Sequence, residues 1–201
     1  MKLYYAPGTC SLASHIVLRE VGIPFEMERV DTKTKQTEHG NDFFAVNPKG
    51  SVPALVFDGE VLTEGAAIMQ YLADTNGATT LAPPAGTLAR ARVQEMLNYV
   101  SSELHKSFSP LFAPNKTEDE LAAQRAIVAK KLDWLETKLA DGRAYLTGSD
   151  FTVADAYAFV VTNWAGFKNI DLSPWPKLQA MRTRIAERPA TIAAMKAEGL
   201  I

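Results

Sequence analysis

The chain has 201 residues, a formal net charge of −2 and 47% hydrophobic residues, enough for one large domain or two small ones around a real core. With no basic stripe or polybasic block, neither nucleic acid nor an anionic membrane is an expected partner. Apolar runs stop short of the roughly 20 residues of a spanning helix, and MKLYYAPGTC reaches Pro7-Gly8 before a signal-peptide core develops, so a cytoplasmic protein is expected.

In chain order, KLYYA (2–6) reads as a strand ending in the Pro7-Gly8 turn. From Ser11, Leu12, Ile16, Val17 and Val21 recur at helical spacing until Gly22. FEMERVD (25–31) alternates as a second strand, and a polar stretch with Lys35, His39 and Gly40 follows. ALVF (54–57), Asp58-Gly59 and EVL (60–62) form a hairpin signal, because Asp-Gly supplies the positive φ angles of a tight turn. Ala67, Ile68, Tyr71 and Leu72 then mark another helix. The order βαβ, hairpin, helix predicts a parallel strand pair with a right-handed crossover and antiparallel edges. That is the thioredoxin-like arrangement, although the pattern is shared by several α/β folds.

GATTLAPPAG (77–86) reads as a linker between domains at about 1–76 and 87–201. Everything after it reads as helix. One runs from a Thr87 cap through Phe108 and breaks at Ser109-Pro110 and Pro114. The next opens on the Thr117/Glu120 capping-box spacing, reaches about Leu139 and stops at Asp141-Gly142. Others start at Thr152, near Pro176, and at Pro189, the last ending at Gly199. Thr152 and Asp155 have the spacing of a reciprocal cap, with Phe151 as a staple against Ala156.

Cys10 is the only cysteine, so an intrachain disulfide and a multi-cysteine zinc site are excluded. A lone free cysteine is ordinarily a buried apolar filler. At the mouth of a strand-to-helix turn, however, backbone N–H groups and the helix dipole favour an anion, and the expectation is a thiol more readily ionised than usual. A dithiol oxidoreductase would carry a second cysteine where this chain has Ala13, so redox chemistry would need an external thiol.

The opening KLYYAPGTCSLASHIVLRE resembles that of bacterial beta-class glutathione transferases. NPKGSVPAL (47–55) is similar to the family's loop that pairs with the glutathione backbone, and LTEGAAIMQYLAD (62–74) to its γ-glutamyl-binding motif. SSELHKSFSPLF (101–112) and GSDFTVADAYAF (148–159) resemble segments of its helical domain, so the similarity covers essentially the whole chain. The resemblance implies a thioredoxin-like N-terminal domain with an all-α C-terminal domain, glutathione as co-substrate without a metal, small hydrophobic electrophiles as second substrates, and a homodimer with composite sites.

It also implies roles. Val52 offers both backbone groups to a peptide-like ligand, and Val52-Pro53 is cis. Glu64 meets the γ-glutamyl ammonium and the Gly65 N–H its carboxylate, at a helix start that suits an anion. Many relatives carry serine where this chain has Gly65, which removes a hydroxyl contact. Lys35 contacts the glycine carboxylate of glutathione. Asn98, Ser102 and Glu103 reach glutathione in the neighbouring subunit, whereas His105 and Lys106 approach Cys10 in their own. Phe112 and Trp164, with Phe108 and Phe167 as weaker candidates, wall the electrophile; His15 and His39 have structural or surface roles. Conjugation by bound glutathione and thiol transfer through a Cys10 mixed disulfide are both open. So is a different class, a non-enzymatic protein binding glutathione or hydrophobic ligands on the same fold.

Overall fold

The computed structural model describes all 201 residues. Its sheet has four strands, β1 (Lys2–Tyr5), β2 (Glu26–Arg29), β3 (Ala54–Phe57) and β4 (Glu60–Thr63), in the order β2-β1-β3-β4. β1 pairs parallel with β2 and antiparallel with β3, and β3 pairs antiparallel with β4. The hairpin turns at Asp58 (φ 49°) and Gly59 (φ 81°), the positive angles expected of Asp-Gly. Side chains alternate across the sheet. Leu3 and Leu55, in register, face the large core, while Tyr4 and Ala54 join Val30 and Phe43 on the other side.

Helix α1 (Ser11–Val21) follows β1, and α2 (Gly65–Thr75) follows β4. α1 ends at Gly22, whose φ of 76° lets its N–H reach Leu18 O. The remaining helices are α3 (Leu88–Asn98), the short α4 (Lys106–Phe108), α5 (Glu118–Lys138), α6 (Val153–Phe167), α7 (Pro176–Ala186) and α8 (Pro189–Ala197). This is the thioredoxin-like sheet joined to an all-helical second half.

One expectation needs correcting. The helix beginning at Thr87 does not run unbroken to Phe108. Tyr99–His105 is wound as a π-helix between α3 and α4, and Ser109–Phe112 tightens into a 3-10 turn. The wider winding re-aims the side chains that follow, a feature frequent at functional sites.

α1 carries the connection between the halves. Leu12, Ala13, Ile16 and Val17 are buried, and the helix packs against α2, α6 and α8. The apolar core is therefore continuous from Leu3 through α1 to Phe159 and Ile185. Stretch 77–86 carries neither helix nor strand, yet Leu81 and Ala82 within it are buried, and Leu81 O accepts from Val153 N. Beside it, buried Arg90 forks onto the Asp74 carboxylate at 2.8 and 2.5 Å, tying α3 to α2.

α6 is buried along most of its length and starts as the Thr152–Asp155 spacing predicts. The Asp155 carboxylate accepts from Thr152 N and Oγ1 at 2.8 and 2.7 Å and from Leu146 N at 2.8 Å.

Candidate active site

A cleft of about 410 Å³ opens between the sheet half and the helical half, and Cys10 stands in its wall. β1 delivers the chain to Pro7-Gly8, and the fully buried Ser11 fixes the turn by bonding Ala6 N and Ala6 O through its hydroxyl. That places Cys10 immediately before α1, where its Sγ–H donates to Val52 O at 3.3 Å.

The thiol is not in the ionised poise expected of a helix start. Burial pushes it up to about 11; the N–H groups of Cys10 and Ser11 pull the other way without compensating, and the Glu64 carboxylate raises it further. The helix-end field acts over one turn, whereas desolvation disfavours the thiolate outright. At neutral pH Cys10 is a thiol and a hydrogen-bond donor.

The opposite wall is loop 47–53. Buried Asn47 braces it, donating to Ser51 O at 2.7 Å and accepting from Lys49 N at 3.1 Å. Gly50 sits at φ 60°, where a side chain is strained, and a Cβ there would lie 2.6 Å from the ring of exposed Phe44 and push it aside. Val52–Pro53 is cis. Glu64 closes this side at a φ of 69°, an uncommon angle for a side-chain-bearing residue, and pairs with Lys49. Gly65 opens α2 beside Pro53 and Ser14.

From the helical half come Ser101, His105, Lys106, Ser109 and Tyr157. His105 Nδ1 lies 2.8 Å from the Tyr157 hydroxyl. Burial holds His105 below the usual histidine range, so it is neutral at pH 7, and burial raises the Tyr157 phenol, which stays protonated. The His105 ring stands edge-on to Trp164 with centroids 4.7 Å apart. Trp164 Nε1 in turn donates to Gly8 O at 2.9 Å.

The cleft thus gathers Cys10, Val52, Pro53, Glu64, Gly65, His105 and Lys106. It does not gather the rest. Lys35 lies outside the lining and donates to Gly50 O at 2.9 Å, bracing the loop from behind. Asn98, Ser102 and Glu103 are exposed and away from the cleft of their own chain; Ser102 Oγ bonds Asn98 O, and Glu103 pairs with Lys131. Phe112 is half exposed under the Lys168 ammonium and reaches the site only through Trp164, at 5.6 Å between ring centroids. Phe108 is fully buried and Phe167 exposed. His15 is a buried structural histidine, bonded through Nδ1 to Glu198.

Sequence reasoning passed over Asn47, Lys49 and Tyr157. The first two lie inside the NPKGSVPAL segment and were within reach. Tyr157 reads only as one more apolar position of a buried helix.

Two family models match the chain: Glutathione S-transferase, N-terminal domain, over residues 8–75, and Glutathione S-transferase, C-terminal domain, over residues 99–189. Glutathione S-transferase GstA of Escherichia coli O157:H7 is 48% identical over 201 residues, covering 100% of both chains. Among solved structures, the bacterial beta-class glutathione S-transferase of Sphingomonas chungbukensis matches with a TM-score of 0.95 at 46% identity, over 100% of both chains. A sphingomonad glutathione S-transferase complexed with glutathione matches with a TM-score of 0.95 at 48% identity, again over 100% of both. With the Cys10 cleft, the cis loop and full-length similarity all in agreement, the chain belongs to the glutathione S-transferase family, in its bacterial beta class, and is a transferase.

Proposed function

We propose that this transferase binds glutathione along loop 47–53 and presents its sulfur to Cys10 for attack on small hydrophobic electrophiles. The observation that carries this is one cleft holding both a protonated thiol and a peptide-docking edge. Val52 N–H makes no hydrogen bond within the chain, and its carbonyl faces Cys10. Glu64 suits the γ-glutamyl ammonium, and the Gly65 N–H at the start of α2 suits its carboxylate. Lys49 and Lys106 supply positive charge for the carboxylates.

Glutathione loses its thiol proton on binding, and the Cys10 S–H donates a hydrogen bond to the resulting thiolate. That sulfur forms a bond to the electrophilic carbon as the leaving group departs with its electron pair. Neutral His105, oriented by Tyr157, is placed to take or relay the proton. Thiol transfer would need Cys10 itself as thiolate, which its burial opposes, so conjugation is the favoured chemistry.

The enzyme is proposed to work in the cytoplasm as a homodimer, with exposed Asn98, Ser102 and Glu103 turned to the partner's glutathione. No helix is long and apolar enough to cross a membrane.

The test is conjugation of chlorodinitrobenzene by wild type, Cys10→Ser and Cys10→Ala, with intact-mass analysis after exposure to oxidised glutathione. A donor to a charged sulfur is worth about 1.5–3 kcal/mol, so Cys10→Ala should lose roughly ten- to a hundredfold in kcat/KM. Cys10→Ser, which keeps a donor, should lose less. A Cys10-dependent glutathione adduct forming readily at neutral pH would favour thiol transfer instead.

A further inference from the structure

The helical wall of the Cys10 cleft continues outward as a run of aromatic rings that ends in a positive charge. His105, in the lining, stands edge-on to Trp164 at 4.7 Å between centroids, and Trp164 stands edge-on to Phe112 at 5.6 Å. Phe112 also follows from the cleft along the chain. Ser109 is in the lining, and in the 3-10 turn Ser109–Phe112 positions three apart eclipse, so Phe112 lies one turn further out on the same side. Its ring is 52% exposed and forms an apolar rim. Lys168, the cap that ends α6, is half-buried and holds its ammonium 3.9 Å from the centre of that ring. No carboxylate lies within ion-pair distance of the ammonium. The ring face attracts the charge and leaves its N–H donors free. A lysine stem lying on an exposed ring is ordinarily only cover for it. Here the ring is the rim of a reacting cleft. With glutathione along loop 47–53, Lys49 and Lys106 face its carboxylates, and Lys168 is left as a positive charge on the side open to the second substrate.

We infer that Lys168 selects among electrophiles, favouring aromatic ones that carry a carboxylate or sulfonate on the side of the ring away from the reacting carbon. The inference rests on the conjugation chemistry proposed above and names the substrate class within it. The electrophile's ring lies against Phe112, its anion meets the Lys168 ammonium, and its reacting carbon faces the glutathione sulfur. Lys168 touches no reacting atom. It therefore acts on binding, in the ground state and the transition state alike, rather than on the chemical step.

Conjugation of chlorodinitrobenzoate, whose carboxylate lies para to the chlorine, is compared with that of its neutral methyl ester. Each rate is divided by that of the uncatalysed reaction with glutathione, which removes the difference in intrinsic reactivity. In both, the glutathione sulfur bonds to the chlorine-bearing carbon and chloride leaves with its electron pair; only the acid carries a charge opposite. Lys168→Met should lower kcat/KM for the acid about three- to fivefold more than for the ester, through KM. Lys168→Glu should widen that gap to about tenfold, and Lys168→Arg should keep most of the wild-type preference. Added salt should erode the acid's advantage and spare the ester. Equal losses for acid and ester in Lys168→Met and Lys168→Glu would mean packing on Phe112 rather than charge and would overturn the inference, as would no loss for either. If wild type fails to conjugate even the ester, the conjugation chemistry itself falls, and the inference with it.

Discussion

Trp164 Nε1 donates to the carbonyl of Gly8 at 2.9 Å, and the same residue's N–H donates to Glu198 Oε2 at 2.9 Å. One residue, two before Cys10, is thus held through both its N–H and its C=O by the helical half. Glu198 is engaged further. Its other oxygen meets His15 Nδ1 at 2.9 Å, and Arg19 Nε donates to His15 Nε2, leaving the imidazole proton on Nδ1.

Replacing Glu198 by alanine strands two donors, the partly buried Gly8 N–H and the fully buried His15 Nδ1–H. At about 1–3 kcal/mol for each unsatisfied group, Glu198→Ala should destabilise the protein by roughly 2–5 kcal/mol in urea unfolding. Glu198→Gln, which keeps one acceptor, should cost less. A loss below about 1 kcal/mol for the alanine variant would mean the network is ornamental.

The position of the Cys10 thiol, up to about 11, sets a pH dependence. Only the thiolate is alkylated, so between roughly pH 7 and 9.5 the rate of modification by iodoacetamide should climb about tenfold per pH unit without levelling. As the chain has one cysteine, intact mass reports the site unambiguously. A plateau starting below about pH 8.5 would show a depressed thiol and restore the helix-end argument.

At Gly65 the structure has space to spare. An added Cβ would meet Pro53 Cγ at 3.6 Å and Ser14 Oγ at 3.8 Å, both ordinary contacts, and the Ser14 hydroxyl is buried without a partner. Gly65→Ser should therefore fold normally and supply a hydroxyl at the start of α2. A single hydrogen bond of about 1–2 kcal/mol corresponds to roughly five- to thirtyfold tighter glutathione binding by calorimetry. Unchanged affinity would place the γ-glutamyl carboxylate elsewhere.

Asp155 serves folding alone. Three donors converge on its fully buried carboxylate, two from Thr152 and one from Leu146. Asp155→Ala removes the cap and orphans the Leu146 and Thr152 N–H groups, so the loss should be about 3 kcal/mol or more. Turnover measured well below the shifted melting temperature should stay near wild type. A large fall in kcat at full folding would contradict the assignment.

The legible parts of the chain were those governed by neighbours in sequence. Asp58-Gly59 announces its turn, Gly22 its helix end, and Thr152 to Asp155 its cap, because each rests on backbone angles or hydrogen bonds within a few residues. Cys10 was located correctly and its ionisation misjudged, since the deciding factor is burial under residues from distant segments, and desolvation leaves no mark in a local motif. The π-wound stretch Tyr99–His105 contains no glycine or proline to betray it. Lys35 reads as a ligand contact because it is a cation in the right loop; in the structure its ammonium donates to Gly50 O and lies outside the cleft lining. Tyr157 gains its place in the site only through the packing of α6, which brings its hydroxyl to His105.

The double anchoring of Gly8 has an evolutionary consequence. A helical half can be reshaped freely only where it merely borders the second substrate. Here position 164 both packs on His105 and holds, at Gly8, the turn that leads into Cys10. Substitutions there that widen acceptance of a new electrophile would also shift the cysteine, so preference and reactivity should drift together along this lineage rather than vary independently.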